Sequence, residues 1–204
     1  MPLTKVTTSF INSISASQIL PSNASSGDTL IFDGATQTWK PGASTSSSSI
    51  TYGVPVAMTG LSNTEFVGIP STAKRVTVII RGLSSANMPK LLLGTSSGIK
   101  TTGYFGTVYG YSGAGISTAS ISNGILLRDS GWTTSITAYG MYTFVKLSDN
   151  DNSWTFSGQF GGNHANSSAG GRTDGSTSLD GPLSRIRLET SGTFGGGTVN
   201  IMWE

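Results

Sequence analysis

The sequence predicts an all-β protein: a C-terminal antiparallel β-sandwich, jelly-roll-like in its many short strands, preceded by a short N-terminal anchor segment and a small β-hairpin collar. Three observations predict it. In "RVTVIIRGL" strict alternation puts Val76, Val78 and Ile80 on one face and Arg75, Thr77, Ile79 and Arg81 on the other, and "SRIRLET" repeats the pattern with Ile186 and Leu188 inward. Further strand-like runs, "KLLLG", "TAYGMYTFVKL", "SWTFSGQF" and "GTVNIMW", are separated by turn-forming clusters such as "SDNDNS" and "GGRTDGST". Finally, 28 glycines in 204 residues and a charged fraction of 11% describe a neutral chain whose polar positions are mostly Ser and Thr.

The elements follow in chain order. Residues 1–26 carry Leu3, Val6, Phe10 and Ile14 at three- and four-residue intervals, a weak helical stripe in a Ser/Thr-rich background. Such a stripe needs a partner to be ordered, so Val6, Phe10 and Ile14 are candidates for anchoring contacts. Residues 27–42, "GDTLIFDGATQTWKPG", read as two short strands around an Asp33-Gly34 turn, with Trp39 on the return strand. An isolated hairpin is marginal in water, and Leu30, Ile31, Phe32 and Trp39 are too apolar to lie bare. Three chains side by side would bury Leu30, Phe32 and Trp39 around one axis, which predicts a homotrimer. Residues 43–50 form a Ser-rich connector, and 51–204 the sandwich.

Charge and composition exclude several classes. The 12 basic and 10 acidic residues are scattered singly for a net +2, so nucleic-acid binding lacks its electrostatic support. With no cysteine, disulfides and thiolate metal sites are impossible. No apolar run approaches the roughly 20 residues of a membrane-spanning helix, so membrane insertion is not expected. The start, "MPLTKVTTSF", lacks the apolar core of a secretory signal, so export by secretion is not expected either.

The search for catalytic chemistry is nearly empty. His164 is the single histidine, which excludes a two-histidine zinc site, and it lies in the loop-like "GGNHANSSAGG" with no partner acid in view. Asp149-Asn150-Asp151-Asn152 alternates oxygen ligands suited to calcium but lacks the glycine and distal glutamate of an EF-hand, and reads better as a hairpin turn. No acidic cluster suggests a glycosidase pair, and "GYFGTVYGYSGAG" lacks the Lys-Ser/Thr ending of a phosphate loop. No catalytic residue, metal or cofactor is expected. Among the aromatics set near Gly, Ser or Thr, namely Tyr104, Tyr109, Tyr111, Trp132, Tyr139 and Trp154, the candidates for stacking on sugars are Tyr109, Tyr111 and Trp132. The competing reading makes these rings core or inter-subunit contacts. Arginines 75, 81, 185 and 187 read as a solvated sheet face or as salt bridges across a subunit boundary.

"GDTLIFDGATQTWKPG" resembles a short unit that recurs near the N-terminus of tail-fibre and other appendage proteins of tailed bacteriophages, cyanophages among them. "FVGIPSTAKRVTVIIRGLSS", "LLLGTSSGIKTTGY" and "GPLSRIRLETSGTFGGGTVNIMWE" resemble a small β-sandwich domain at the C-terminal end of such virion proteins. The phrase Ile69-Pro70-Ser71-Thr72-Ala73-Lys74-Arg75 departs from the usual pattern by having Thr-Ala in place of bulkier residues, and the middle of the domain matches only in texture. The resemblance implies a virion structural protein without catalytic residues: a trimeric tail fibre or spike joined to other virion proteins by its N-terminal segment and touching host surface glycans with the sandwich. A capsid decoration or head fibre is the alternative, and a secreted carbohydrate-binding module or a polysaccharide depolymerase stands lower.

Overall fold

The computed structural model describes residues 29–33, 38–42 and 49–204, apart from 113–114, 129–131, 133–135 and 165–166; for 29–33, 38–42, Ser112, His164 and Ser167 it describes the backbone alone. The chain divides into two units, Met1–Ser49 and Ile50–Glu204. In the first, β1 (Thr29–Asp33) and β2 (Thr38–Gly42) pair antiparallel, with Phe32 opposite Trp39 and Leu30 opposite Pro41. The side chains of Leu30, Phe32 and Trp39 lie outside the described residues, as do Val6, Phe10 and Ile14 altogether.

The second unit is antiparallel β-structure throughout, with no helix among the described residues. Its strands are β3 (Thr51–Tyr52), β4 (Val56–Ala57), β5 (Asn63–Val67), β6 (Arg75–Ser85), β7 (Lys90–Thr95), β8 (Gly98–Ile99), β9 (Tyr104–Ser112) and β10 (Gly115–Ile121). There follow β11 (Ile125–Leu126), β12 (Ile136–Lys146), β13 (Ser153–His164), β14 (Ser167–Ser178), β15 (Arg185–Glu189) and β16 (Phe194–Trp203). The larger sheet runs β10-β9-β14-β13-β12-β6-β16-β3, with β4 also on β16; the smaller runs β11-β7-β15-β5, with β8 on β7.

The two sheets share one core. Val76, Val78, Ile80, Phe144, Trp154 and Ile201 project from the larger sheet, and Leu91, Leu93, Ile186 and Leu188 from the smaller; all are essentially inaccessible to water. Each such aliphatic side chain contributes about 1.5–3 kcal/mol of hydrophobic stabilisation. Tyr104 ties the layers together: on β9, it accepts a hydrogen bond from the Leu93 N–H of β7 (2.8 Å) and donates to the Lys100 carbonyl (3.0 Å). Burial pushes its phenol up to about 12, so it is neutral at any physiological pH.

Several glycine-rich tracts that read as loops are central strands. "GGRTDGST" lies inside β14, twelve residues long and paired on both sides, and of "GGNHANSSAGG" only residues 165–166 separate β13 from β14. The reason is a recurring cross-strand pair in which a ring on one strand covers a glycine on the next. Tyr142 faces Gly158, Phe156 faces Gly175 and Phe160 faces Gly171 in register. A Cβ added at Gly175 would come 2.7 Å from Cζ of Phe156, and one at Gly171 would come 2.7 Å from Cε1 of Phe160. At Gly158 it would run into the Tyr142 ring. Glycine costs a strand conformational entropy, but here it makes room for a ring that no Cβ-bearing neighbour would admit.

Arg185 and Arg187 are held by ion pairs within the chain and are not a freely solvated face. They share Glu65 within the chain, Arg187 through its Nε at 2.8 Å and Arg185 at 3.6 Å. Arg187 also reaches Glu189 (3.5 Å), and Lys90 closes the cluster on Glu189 (3.2 Å). Register requires this: β15 lies between β5 and β7, with Arg187 opposite both Glu65 and Leu92 and Glu189 opposite Lys90. Arg75 pairs with Glu204, whereas Arg81 stays exposed.

Candidate functional site

The outward face of the larger sheet holds an open groove of about 1120 Å³ across β9, β14, β13 and β12. Because side chains alternate along each strand, every outward residue here belongs to a lateral row set by register. One row reads Ile116, Tyr111, Gly170, Gly161 and Tyr139; the next reads Tyr109, Arg172, Gln159 and Met141; the third reads Thr107, Asp174, Ser157 and Thr143. Rings and thioether thus alternate with amide, hydroxyl and bare backbone.

The first row gives the groove its floor. A Cβ at Gly170 would collide with the Tyr111 ring, so that ring lies down across β14 with its other face turned to solvent. Tyr139 sits beside Gly161 in register but leans the opposite way, its hydroxyl 3.8 Å from the Cβ position of Gly82. Between the two rings, a Cβ at Gly161 would meet nothing within 4 Å beyond its chain neighbours. Gly161 is therefore the one glycine opposite a ring in these rows that no ring covers.

The polar wall is held by an ion pair. Arg172 donates from Nε to Asp174 Oδ2 (2.7 Å) and from Nη2 to Asp174 Oδ1 (3.2 Å), and the Ser157 hydroxyl donates to the same Oδ1 (2.7 Å). The guanidinium holds the Asp174 carboxyl below the usual aspartate range, against an opposing push from partial burial, and the Ser157 hydroxyl adds to the lowering. Among the described residues, Asp174 is the one carboxylate lining the groove.

The sequence-predicted aromatics separate here. Tyr109 and Tyr111 stand on the groove, 41% and 45% exposed. Trp132 does not: it is 7% exposed and packs on Phe160 with ring centroids 5.1 Å apart, so its face is taken by the core and it offers nothing to a ligand. Trp154 and Tyr104 are likewise buried. Tyr139, 53% exposed, belongs to the groove, although its Gly and Ser/Thr surroundings do not set it apart from the buried Tyr104 and Trp154. The alternation in "ITAYGMYTFVK" carries that information, because Tyr142 and Phe144 are the buried set and Tyr139 and Met141 the opposite one. Arg172 and Asp174 escaped because β14 reads as a turn.

The acidic turn after β12 accounts for its own side chains: Asp151 accepts from the Ser153 N–H (2.7 Å), Ser148 accepts from the Asn150 N–H (3.1 Å), and Asp149 pairs with Lys74. The backbone of His164 ends β13 opposite Ile136 and Ser167, and its side chain lies outside the described residues. No protein-family model, curated protein or solved structure matches this chain.

Proposed function

We propose that the chain is a structural protein of a tailed-bacteriophage virion: a homotrimeric tail fibre or spike, joined to other virion proteins through its N-terminal segment and presenting the sandwich to the host surface. The observation that carries this reading is the groove, an open, nearly charge-neutral concavity with three exposed tyrosines and, among the described residues, a single carboxylate already bonded to Arg172. Such a surface suits adhesion to a neutral polymer, and glycoside cleavage would require a second carboxylate in the same groove. The resemblance of residues 27–42 and of the sandwich segments to phage appendage proteins points the same way. Trimerisation adds avidity, so three weak contacts hold a particle that one would not.

The test uses antibody raised against the full chain, imaged on intact particles, together with mass photometry of the purified protein. Label on the tail appendages and a mass of three chains support the proposal. Label on the capsid would move the chain to head decoration, and a monomer at micromolar concentration would overturn the trimer.

A further inference from the structure

We infer that the bare backbone at Gly161, between the Tyr111 and Tyr139 rings, is a binding subsite for a short run of neutral sugar residues. The inference rests on the attachment reading only for where the polymer comes from; the subsite itself rests on geometry. Tyr111 and Tyr139 lie on β9 and β12, three strand spacings apart in one row, which sets their backbones about 14 Å from each other at about 4.8 Å per spacing. Tyr111 presents a ring lying along the sheet, the platform on which the C–H face of a pyranose stacks.

Among the described residues, no neighbouring side chain reaches the space over Gly161. Tyr111 covers Gly170, Tyr139 leans to Gly82, and Arg172 is drawn toward Asp174 in the third row. Gly158, Gly170, Gly171 and Gly175 have a neighbouring ring in their space, and Gly106, Gly140 and Gly162 lie against backbone, so the open place at Gly161 is local to these central strands and not a general looseness of a glycine-rich sheet. Gln159, in the next row on the same strand, supplies an amide that both donates and accepts, which suits hydroxyls. The selection for a neutral ligand follows from Arg172, whose charge is spent on Asp174 through two hydrogen bonds. Among the described residues lining the groove, an anionic polymer would find no unpaired cation.

The decisive variant is Gly161→Val. Its Cβ has open space, and Gly161 is not among the residues with positive φ, so valine fits an extended strand there and should leave the melting temperature unchanged or raise it. Yet it fills the subsite floor. Isothermal titration of the full-length protein against cellohexaose, maltohexaose, mannohexaose and hexagalacturonate should show binding of at least one neutral hexasaccharide and none of the anionic one. Gly161→Val and Tyr111→Ala should each weaken that binding at least tenfold. Absence of binding by all three neutral oligomers, or full binding by folded Gly161→Val, would overturn the inference. Competition of purified protein with phage for host cells separates the two levels. If Gly161→Val blocks adsorption as well as the wild type, attachment stands and the subsite is wrong; if the wild type fails to block, the attachment reading falls and the titration alone judges the subsite.

Discussion

The two outward faces of the sandwich solve the same problem in opposite ways. The smaller sheet faces water with Glu65, Arg185, Arg187, Glu189 and Lys90, interlocked across three strands. The groove region of the larger sheet faces water with tyrosines, hydroxyls and glycine, and its one ion pair is closed on itself. On the smaller sheet, the charged layer lies over apolar side chain: Leu92 is opposite Arg187 and packs near Gly124, and it is fully buried although it belongs to the outward set. Long charged side chains can cover such a residue with their stems. On the larger sheet nothing comparable among the described residues covers Tyr109, Tyr111 and Tyr139. A chain with so few charges interlocks five of them on the smaller sheet, whereas among the described residues lining the groove the charges are the closed Arg172–Asp174 pair, which leaves that region shaped to hold something else.

The largest effect should come from the core that both faces share. Phe160→Ala removes the ring that fills Gly171 and stacks on Trp132, and should cost about 3–5 kcal/mol in urea denaturation. The sharper comparison sets Leu92→Ala against Tyr139→Ala. Both residues are nominally outward, but Leu92 is fully buried and should cost about 2–5 kcal/mol, whereas the exposed Tyr139 should cost less than about 0.5 kcal/mol. Equal losses would mean that the groove face is covered in the native protein, and the contrast between the faces would collapse.

How much of this was legible depends on which residue fills the space between strands. β6 and β15 are plain in the sequence because Val76, Val78, Ile80, Ile186 and Leu188 bury their own bulk at period two. β14 is not, because its inward positions Gly171 and Gly175 have their bulk lent by Phe160 and Phe156 on the neighbouring β13, and β9 is not, because its Gly106 and Gly110 stand opposite those same glycines. A pattern that requires two strands cannot be read from one. The same fact divides the site: Tyr109 and Tyr111 stand out as rings, but the value of Gly161 lies in what its neighbours leave open. Trp132 has the Gly and Thr neighbours expected of a ring offered to sugars, yet its ring packs on Phe160 in the core.

Next in size is the charged face. Glu65→Gln removes the carboxylate that Arg185 and Arg187 share and should cost about 0.5–1 kcal/mol, modest because all three side chains are a quarter to a third exposed. The loss should shrink as salt is raised from low ionic strength to about 1 M, where the Debye length falls to about 3 Å. Tyr109→Ala on the opposite face should show no such salt dependence. A salt response there would mean that charge reaches the groove after all.

The smallest effect tests the claim that the groove is electrically closed. The Arg172 guanidinium lowers the Asp174 carboxyl, with a further contribution from Ser157, so the folded state binds a proton at Asp174 less readily than the unfolded chain does. Its stabilisation is therefore complete at neutral pH, begins to fade as pH falls through the ordinary aspartate value, and is gone below the lower folded value. Arg172→Ala should move the Asp174 titration upward, and Ser157→Ala should move it in the same direction by less; carbon-13 NMR of the side-chain carboxyl reads both. Stability of wild type and Arg172→Ala should converge in acid, where the carboxyl is neutral in either protein. If the Asp174 titration stays put in Arg172→Ala, the pair does not exist in solution. The guanidinium is then free to meet an anion, and the preference of the groove for neutral sugar would have to be replaced by one for acidic polymer.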